Sequence, residues 1–243
     1  MNLSVPDYQK LYKLQDKVFE VIKGNLNEFY LTGGTALGRF YLNHRFSEDL
    51  DFFVNNYSDD FHSETQRIHD LIRKTFQINM RLILDTPSFY RIWIDDEVNL
   101  KLEFVNDVKY HAGKILLAND LRIDNPANIL SHKLTAVLSR DEPKDVFDIC
   151  MIADNFAFNW KEIYYHALEK QLVNEASIAM RLSTFPVDLF DNVIWKKSEI
   201  DKSLLKEKIE IIVDDFLFAR DNSLGIGKPS IMDAKPIRDN RFN

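Results

Sequence analysis

A single cysteine, Cys150, stands among 243 residues. An internal disulfide is therefore excluded, no thiolate pair exists for a structural zinc, and the composition fits a reducing cytoplasm. The six histidines show no metal-ligand spacing such as His-x-x-x-His. No apolar run approaches the ~18 to 20 residues that a membrane span needs, and MNLSVPDYQK lacks the basic and apolar regions of a signal peptide. The expectation is a soluble, cytoplasmic protein with no membrane partner. A net charge of −7 argues against a chain-wide electrostatic grip on nucleic acid, so any RNA partner needs a local basic face. With 45% hydrophobic residues, the chain can bury one large core or two modest ones without covalent staples.

Hydrophobic spacing divides the chain. Leu11, Leu14, Val18 and Ile22 recur at helical steps behind Asp7, a candidate N-cap, and predict a helix ending near Gly24. Phe29–Leu31 reads as a short buried strand, Thr35–Leu42 as a helix and Leu50–Val54 as a second strand. Ser63–Lys74 reads as a helix with Ile68, Leu71 and Ile72 on one face. Further strands are expected at Arg81–Leu84, Tyr90–Ile94 and Val98–Val105, the last two joined through Asp95-Asp96-Glu97. From Asn125-Pro126, an N-cap followed by proline at the first helical position, the pattern turns helical. Helices are expected at Ala127–Ser139, Lys144–Asn155, Trp160–Gln171, Asn174–Leu182 and Ser198–Leu217. The predicted organisation is an α+β domain over 1–115, a helical domain over 116–220, and a tail or wrapping arm over 221–243.

Two short segments carry the chemistry. Side chains alternate across a strand, so Asp49 and Asp51 project from the same face and can ligate the same metals. Hard carboxylate oxygens in that arrangement suit Mg²⁺ (or Mn²⁺), which keeps several waters and shares its remaining positions with substrate phosphates. A solvated strand edge is the ordinary alternative, but Leu50, Phe52 and Phe53 surround the pair, and two uncompensated carboxylates there repel. Upstream, Gly33 and Gly34 permit backbone angles closed to other residues, and the helix opening near Thr35 aims free N–H groups at whatever lies ahead. A triphosphate fits that place, as does a plain strand-to-helix turn. On the later strand Leu100, Leu102 and Phe104 alternate with Lys101 and Glu103. Glu103 is then a third carboxylate, able to complete the metal site or to deprotonate an acceptor hydroxyl, unless that face is simply exposed. Gly225-Ile226-Gly227-Lys228 approaches a phosphate-loop pattern, but Pro229 follows the lysine and the upstream glycine is missing.

The glycine pair, the helix, the Asp-x-Asp strand and a later acidic strand together resemble the DNA polymerase β-like nucleotidyltransferases. More narrowly, Gly33-Gly34-Thr35-Ala36-Leu37 followed by His44-Arg45-x-Ser47-x-Asp49-Leu50-Asp51-Phe52 resembles the AbiEii/AbiGii toxin family of abortive-infection and toxin–antitoxin systems. The stretch SHKLTAVLSRDEPKDVFDI, from Ser131 to Ile149, agrees with the same family. That resemblance implies a nucleotidyltransferase fold with a mixed, mainly antiparallel sheet and a C-terminal helical domain. It implies transfer of a nucleoside monophosphate from an NTP to a hydroxyl, with Gly33, Gly34 and Thr35 cradling the triphosphate and Lys133 neutralising it. Arg140 and Asp145 would join the nucleotide site, and Asp148 the catalytic set. Within the residues alone, Lys133 and Arg140 lie two turns apart on one helix face, and a surface salt-bridge cluster is the alternative. His44 and Arg45 could steer phosphate or RNA, or be a solvated pair beside a turn. Ser47 is either a turn residue or, beside the metals, a regulatory position where added charge would switch activity off. The family points to tRNA or protein as acceptor and to an antitoxin as partner. The rivals are a catalytically silent partner protein of the same fold and an antibiotic-modifying nucleotidyltransferase.

Overall fold

The computed structural model describes residues 7–55, 60–191 and 193–237. Seven strands form one sheet: β1 (Tyr30–Thr32), β2 (Leu50–Val54), β3 (Leu84–Thr86), β4 (Phe89–Asp95), β5 (Asn99–Asn106), β6 (Leu116–Ala118) and β7 (Leu121–Ile123). Their order is β3-β4-β5-β2-β1-β7-β6. The β1–β2, β3–β4, β4–β5 and β6–β7 pairs are antiparallel, whereas β2–β5 and β1–β7 are parallel, giving the mixed, mainly antiparallel α+β sheet.

Alternation sets the two faces of the sheet. On β2, Leu50, Phe52 and Val54 are buried, and on β5 so are Leu100, Leu102 and Phe104. This face meets α1 (Tyr8–Ile22), whose Asp7 side chain caps the first N–H groups, and α3 (Phe61–Ile72), which packs beside α1. The residues between them, Asp51, Phe53, Lys101, Glu103 and Val105, turn to the opposite face.

That opposite face is covered from the second half of the chain by α4 (Pro126–Ala136) and α5 (Pro143–Asn155). The Asn125 side chain accepts from the Asn128 N–H and Pro126 occupies the first turn, as the sequence suggested. A buried carboxylate then anchors α4 to β1: Asp124 accepts from Thr32 Oγ1 and from Asn128 Nδ2, and its backbone N–H donates to Leu31 O. The remaining helices are α6 (Trp160–Leu168), α7 (Glu175–Ser183) and α8 (Lys202–Leu217).

Several expectations need correction. Leu116–Ala118 and Leu121–Ile123, assigned to the helical part, form a hairpin that extends the sheet beyond β1. Its two-residue turn, Asn119-Asp120, has positive φ at both positions (51° and 61°), and strands of three residues are too short to show a period. Gly33–Leu37 (α2) is helical from its first glycine and passes into a π-helical turn at Gly38–Leu42, ended by Asn43 in a left-handed conformation. Met80–Leu82 is a 3₁₀ turn before β3 rather than part of a strand. The segment from Asp221 wraps: Asn222 Nδ2 donates to the carbonyls of Ala153 and Phe156, Ile231 is buried, and the Ile237 N–H donates to Phe40 O. One connected apolar core includes residues from both halves of the chain and from this arm.

Candidate active site

Between the polar sheet face and α4–α5 lies a cleft of about 490 Å³. Its floor is made of two rungs one strand repeat apart. Thr32, Asp51, Glu103 and Arg91 pair across β1, β2, β5 and β4; the next rung on the same face pairs Phe53, Val105 and Phe89. The first rung is charged and the second apolar.

Asp51 is the unusual group. Its carboxylate makes no hydrogen bond or ion pair with any described residue, while burial, Asp49 and Glu103 push its pKa from 3.8 up to about 7. Asp49 is also raised by burial, although Lys101 opposes this from 3.0 Å. Glu103 is held by Arg91 (2.6 Å from Nε) and by Lys101 (3.2 Å), and all of these contacts fall on Oε1. Among the described residues no group of three or more His, Cys, Asp or Glu side chains is gathered to hold a metal. A pair of carboxylates is nevertheless what Mg²⁺ asks of a protein when substrate phosphates and water complete its shell, so Asp49 and the unpartnered Asp51 fit such an ion.

Beside Asp51, Gly33 sits at φ +67°, and a Cβ there would lie 2.8 Å from Asp51 Oδ2. A Cβ on Gly34 would collide with the Arg45 guanidinium and lie 2.9 Å from Ser47 Oγ. Gly34 is thus fixed by a close approach, and the Ser47 hydroxyl stands where a side chain from position 34 would point. Thr32 gives α2 no side-chain cap, because its hydroxyl is spent on Asp124, so the first N–H groups face the cleft uncapped.

Thr35, expected to contact the triphosphate, does not reach the cleft. It is fully buried and donates to the Asp49 carbonyl at 2.5 Å, which ties the start of α2 to the start of β2. Asp148, expected among the catalytic groups, also lies outside the cleft lining. It accepts from Arg45 through both oxygens (2.6 and 2.7 Å), from Lys133 (2.8 Å) and meets His44 Nε2 at 2.7 Å. Burial alone would raise it, yet Arg45 and Lys133 hold it well below the usual carboxylate range. It anchors three basic side chains. His44 and Arg45 are accordingly neither solvated nor free: their side chains are 0% and 2% exposed.

Asp145, 1% exposed, accepts from Lys133 (2.7 Å) and Arg140 (2.7 Å), so the helix carboxylates form a buried network rather than a surface cluster. Arg140 lies beyond the end of α4, not on its face as the spacing suggested, and 60% of its side chain is exposed. Lys133 lines the cleft with an ammonium group shared between Asp145 and Asp148. The structure therefore brings Gly33, Gly34, Ser47, Asp49, Asp51, Glu103, Lys133, Arg140 and Asp145 to one cavity.

Sequence reasoning missed several lining residues. Phe53 and Val105 follow Asp51 and Glu103 at the two-residue period, a signal that was available; Phe89 and His132 carried none. Glu48 accepts from Lys144 of α5 (2.8 Å) and from the Tyr8 hydroxyl (2.7 Å), closing one end.

Comparison with known proteins agrees with this fold. Residues 20–223 match the family model described as nucleotidyl transferase AbiEii toxin, type IV toxin–antitoxin system. An uncharacterized protein of Aquifex aeolicus is 29% identical over 215 residues, covering 83% of this chain and 99% of that protein. JHP933 from Helicobacter pylori superposes with a TM-score of 0.52 at 22% identity, over 87% of this chain and 92% of that one. MenT4, a nucleotidyltransferase toxin of Mycobacterium tuberculosis, gives 0.54 at 14% identity, over 88% and 84%. No described helix is long and apolar enough to cross a membrane. The match to the family model spans most of the chain, and the protein belongs to the AbiEii family of nucleotidyltransferase toxins.

Proposed function

We propose that this chain transfers a nucleoside monophosphate from an NTP to a hydroxyl of tRNA or of a protein, with Mg²⁺ or Mn²⁺ held by Asp49 and Asp51. The observation that carries this is the Asp51 carboxylate: half-buried in the cleft floor, without a hydrogen-bond or ion-pair partner among the described residues, crowded by Asp49 and Glu103, and pressed against a glycine that tolerates no side chain. A structural carboxylate would have been paired, as Asp124, Asp145 and Asp148 are.

When bound, a divalent ion would neutralise the phosphate oxygens and stabilise the departing pyrophosphate. The chain's own groups do the rest. The uncapped N–H groups of Gly33 and Gly34 receive the triphosphate, with Ser47 Oγ beside them and Lys133 opposite. The apolar rung of Phe53, Val105 and Phe89 gives the base a face to lie on. The acceptor oxygen attacks the α-phosphorus as the bond to the bridging oxygen breaks and pyrophosphate leaves. Glu103, whose Oε2 is clear of the Arg91 and Lys101 contacts, takes the acceptor proton.

Two features favour a macromolecular acceptor over a cationic antibiotic. The acidic groups on the cleft walls are mostly neutralised by partners, Glu48 by Lys144 and Asp145 by Lys133 and Arg140, so no acidic wall awaits a cation. The most exposed of these wall cations is Arg140, open to an incoming phosphate backbone. Family membership supports a growth-arresting role balanced by an antitoxin. Incubation of labelled NTPs with total RNA and with lysate tests the reaction. Label is expected on a macromolecule and absent with Asp49→Ala or EDTA; label persisting in both controls overturns the mechanism.

A further inference from the structure

Among the described residues, Lys101 is the one cation on the charged floor that bridges a carboxylate of the proposed metal site, Asp49, and the neighbouring Glu103. It leaves β5 two residues before Glu103, on the same face, and its Nζ lies 3.0 Å from Asp49 Oδ2 and 3.2 Å from Glu103 Oε1. Its side chain is only 19% exposed, so the stem is packed and the ammonium is directed into the cleft rather than swinging in solvent. Every other cation here has a further duty: Arg91 stacks over Phe89 and holds Glu103, and Lys133 is divided between the two helix carboxylates.

An ammonium group and a divalent ion compete when they seek the same carboxylate oxygens, because both neutralise the charge that the strands force together. Lys101 already holds Oδ2 of Asp49, one of the two oxygens that this aspartate can offer a metal. We propose that Lys101 is a tethered counter-cation, which occupies the gap between Asp49 and Glu103 in the metal-free protein and must be displaced when a divalent ion loads, so that it sets the metal concentration at which the site fills. This rests on the metal-dependent reading of the site. Its physical content is a trade: Lys101 stabilises the empty floor, where three carboxylates would otherwise face one another, and weakens metal affinity by an equivalent amount.

Lys101→Met keeps most of the stem and removes the charge. Binding of Mn²⁺ alone, without nucleotide, is measured by isothermal titration calorimetry on the full chain, with thermal unfolding in EDTA alongside. The expected result is about tenfold tighter Mn²⁺ binding in Lys101→Met, equivalent to about 1.4 kcal/mol. The variant should also unfold about 2–4 °C lower in EDTA, and saturating Mn²⁺ should restore it. Equal or weaker Mn²⁺ affinity in the variant overturns the inference, since a packing role or a phosphate-binding role would leave metal affinity unchanged. Asp51→Asn separates this from the underlying reading. If wild type binds Mn²⁺ and Asp51→Asn does not, the site stands whatever Lys101 does; if neither wild type nor Lys101→Met binds Mn²⁺, both claims fall together.

Discussion

Replacing Asp51 with asparagine should stabilise the metal-free protein at alkaline pH while removing its capacity for a divalent ion. The carboxylate is displaced from 3.8 to about 7 by burial and by the charges of Asp49 and Glu103. About three pKa units at 1.36 kcal/mol each set a ceiling of roughly 4 kcal/mol, and the cleft is open to solvent, so about 1–3 kcal/mol is expected. The direction follows from linkage. The folded state binds the proton more tightly than the unfolded chain, so wild-type stability is full below about pH 4, falls as pH rises toward 7, and stays low above it. Asparagine does not titrate. The gap between variant and wild type should therefore open between pH 4 and 7 and level off beyond. Urea unfolding in EDTA at a series of pH values measures it, and several millimolar Mg²⁺ should close or invert the gap by stabilising wild type alone. If Asp51→Asn is no more stable than wild type at pH 8.5 in EDTA, the carboxylate is neither strained nor unpartnered.

Two further substitutions probe the support of the site. Asp148→Ala leaves Arg45, Lys133 and His44 facing a void in the interior, and should cost about 3–5 kcal/mol in urea unfolding, enough to compromise folding outright. A loss below 1 kcal/mol would mean those cations reach solvent instead. Gly34→Ala drives a methyl group into an Arg45 guanidinium that both Asp148 oxygens hold in place, with an expected loss of about 1–3 kcal/mol by the same measurement. An unchanged unfolding midpoint would show that Arg45 yields at no cost.

What the sequence disclosed and what it hid differ in range. The alternation that puts Asp51 and Glu103 on one face is a property of single strands, and the caps at Asp7 and Asn125 lie within a few residues of the helices they start, so both could be read locally. The parallel pairing of β2 with β5, which sets Asp51 opposite Glu103, depends on the helix and two strands between them, α3, β3 and β4, and has no local trace. The same holds for Arg45 and Asp148, joined across 103 positions, and it explains why two residues lie outside the cleft where the sequence had put them inside. Asp148 shows a surface-like Asp-x-x-Asp spacing with Asp145, yet the partners that bury and saturate it come from the loop before β2 and from α4. Thr35 follows two phosphate-facing glycines, yet one residue of helical rotation turns its hydroxyl inward to the Asp49 carbonyl. The β6–β7 hairpin was legible only through Asn119-Asp120, because three-residue strands carry no period. The contrast separates two kinds of acidic residue that sequence presents alike. Asp124, Asp145 and Asp148 are met by donors from distant elements, and their charges hold the sheet to the helices. Asp51 is met by none among the described residues, and an acid that the fold half-buries and leaves without a partner is where an external cation has the most free energy to contribute.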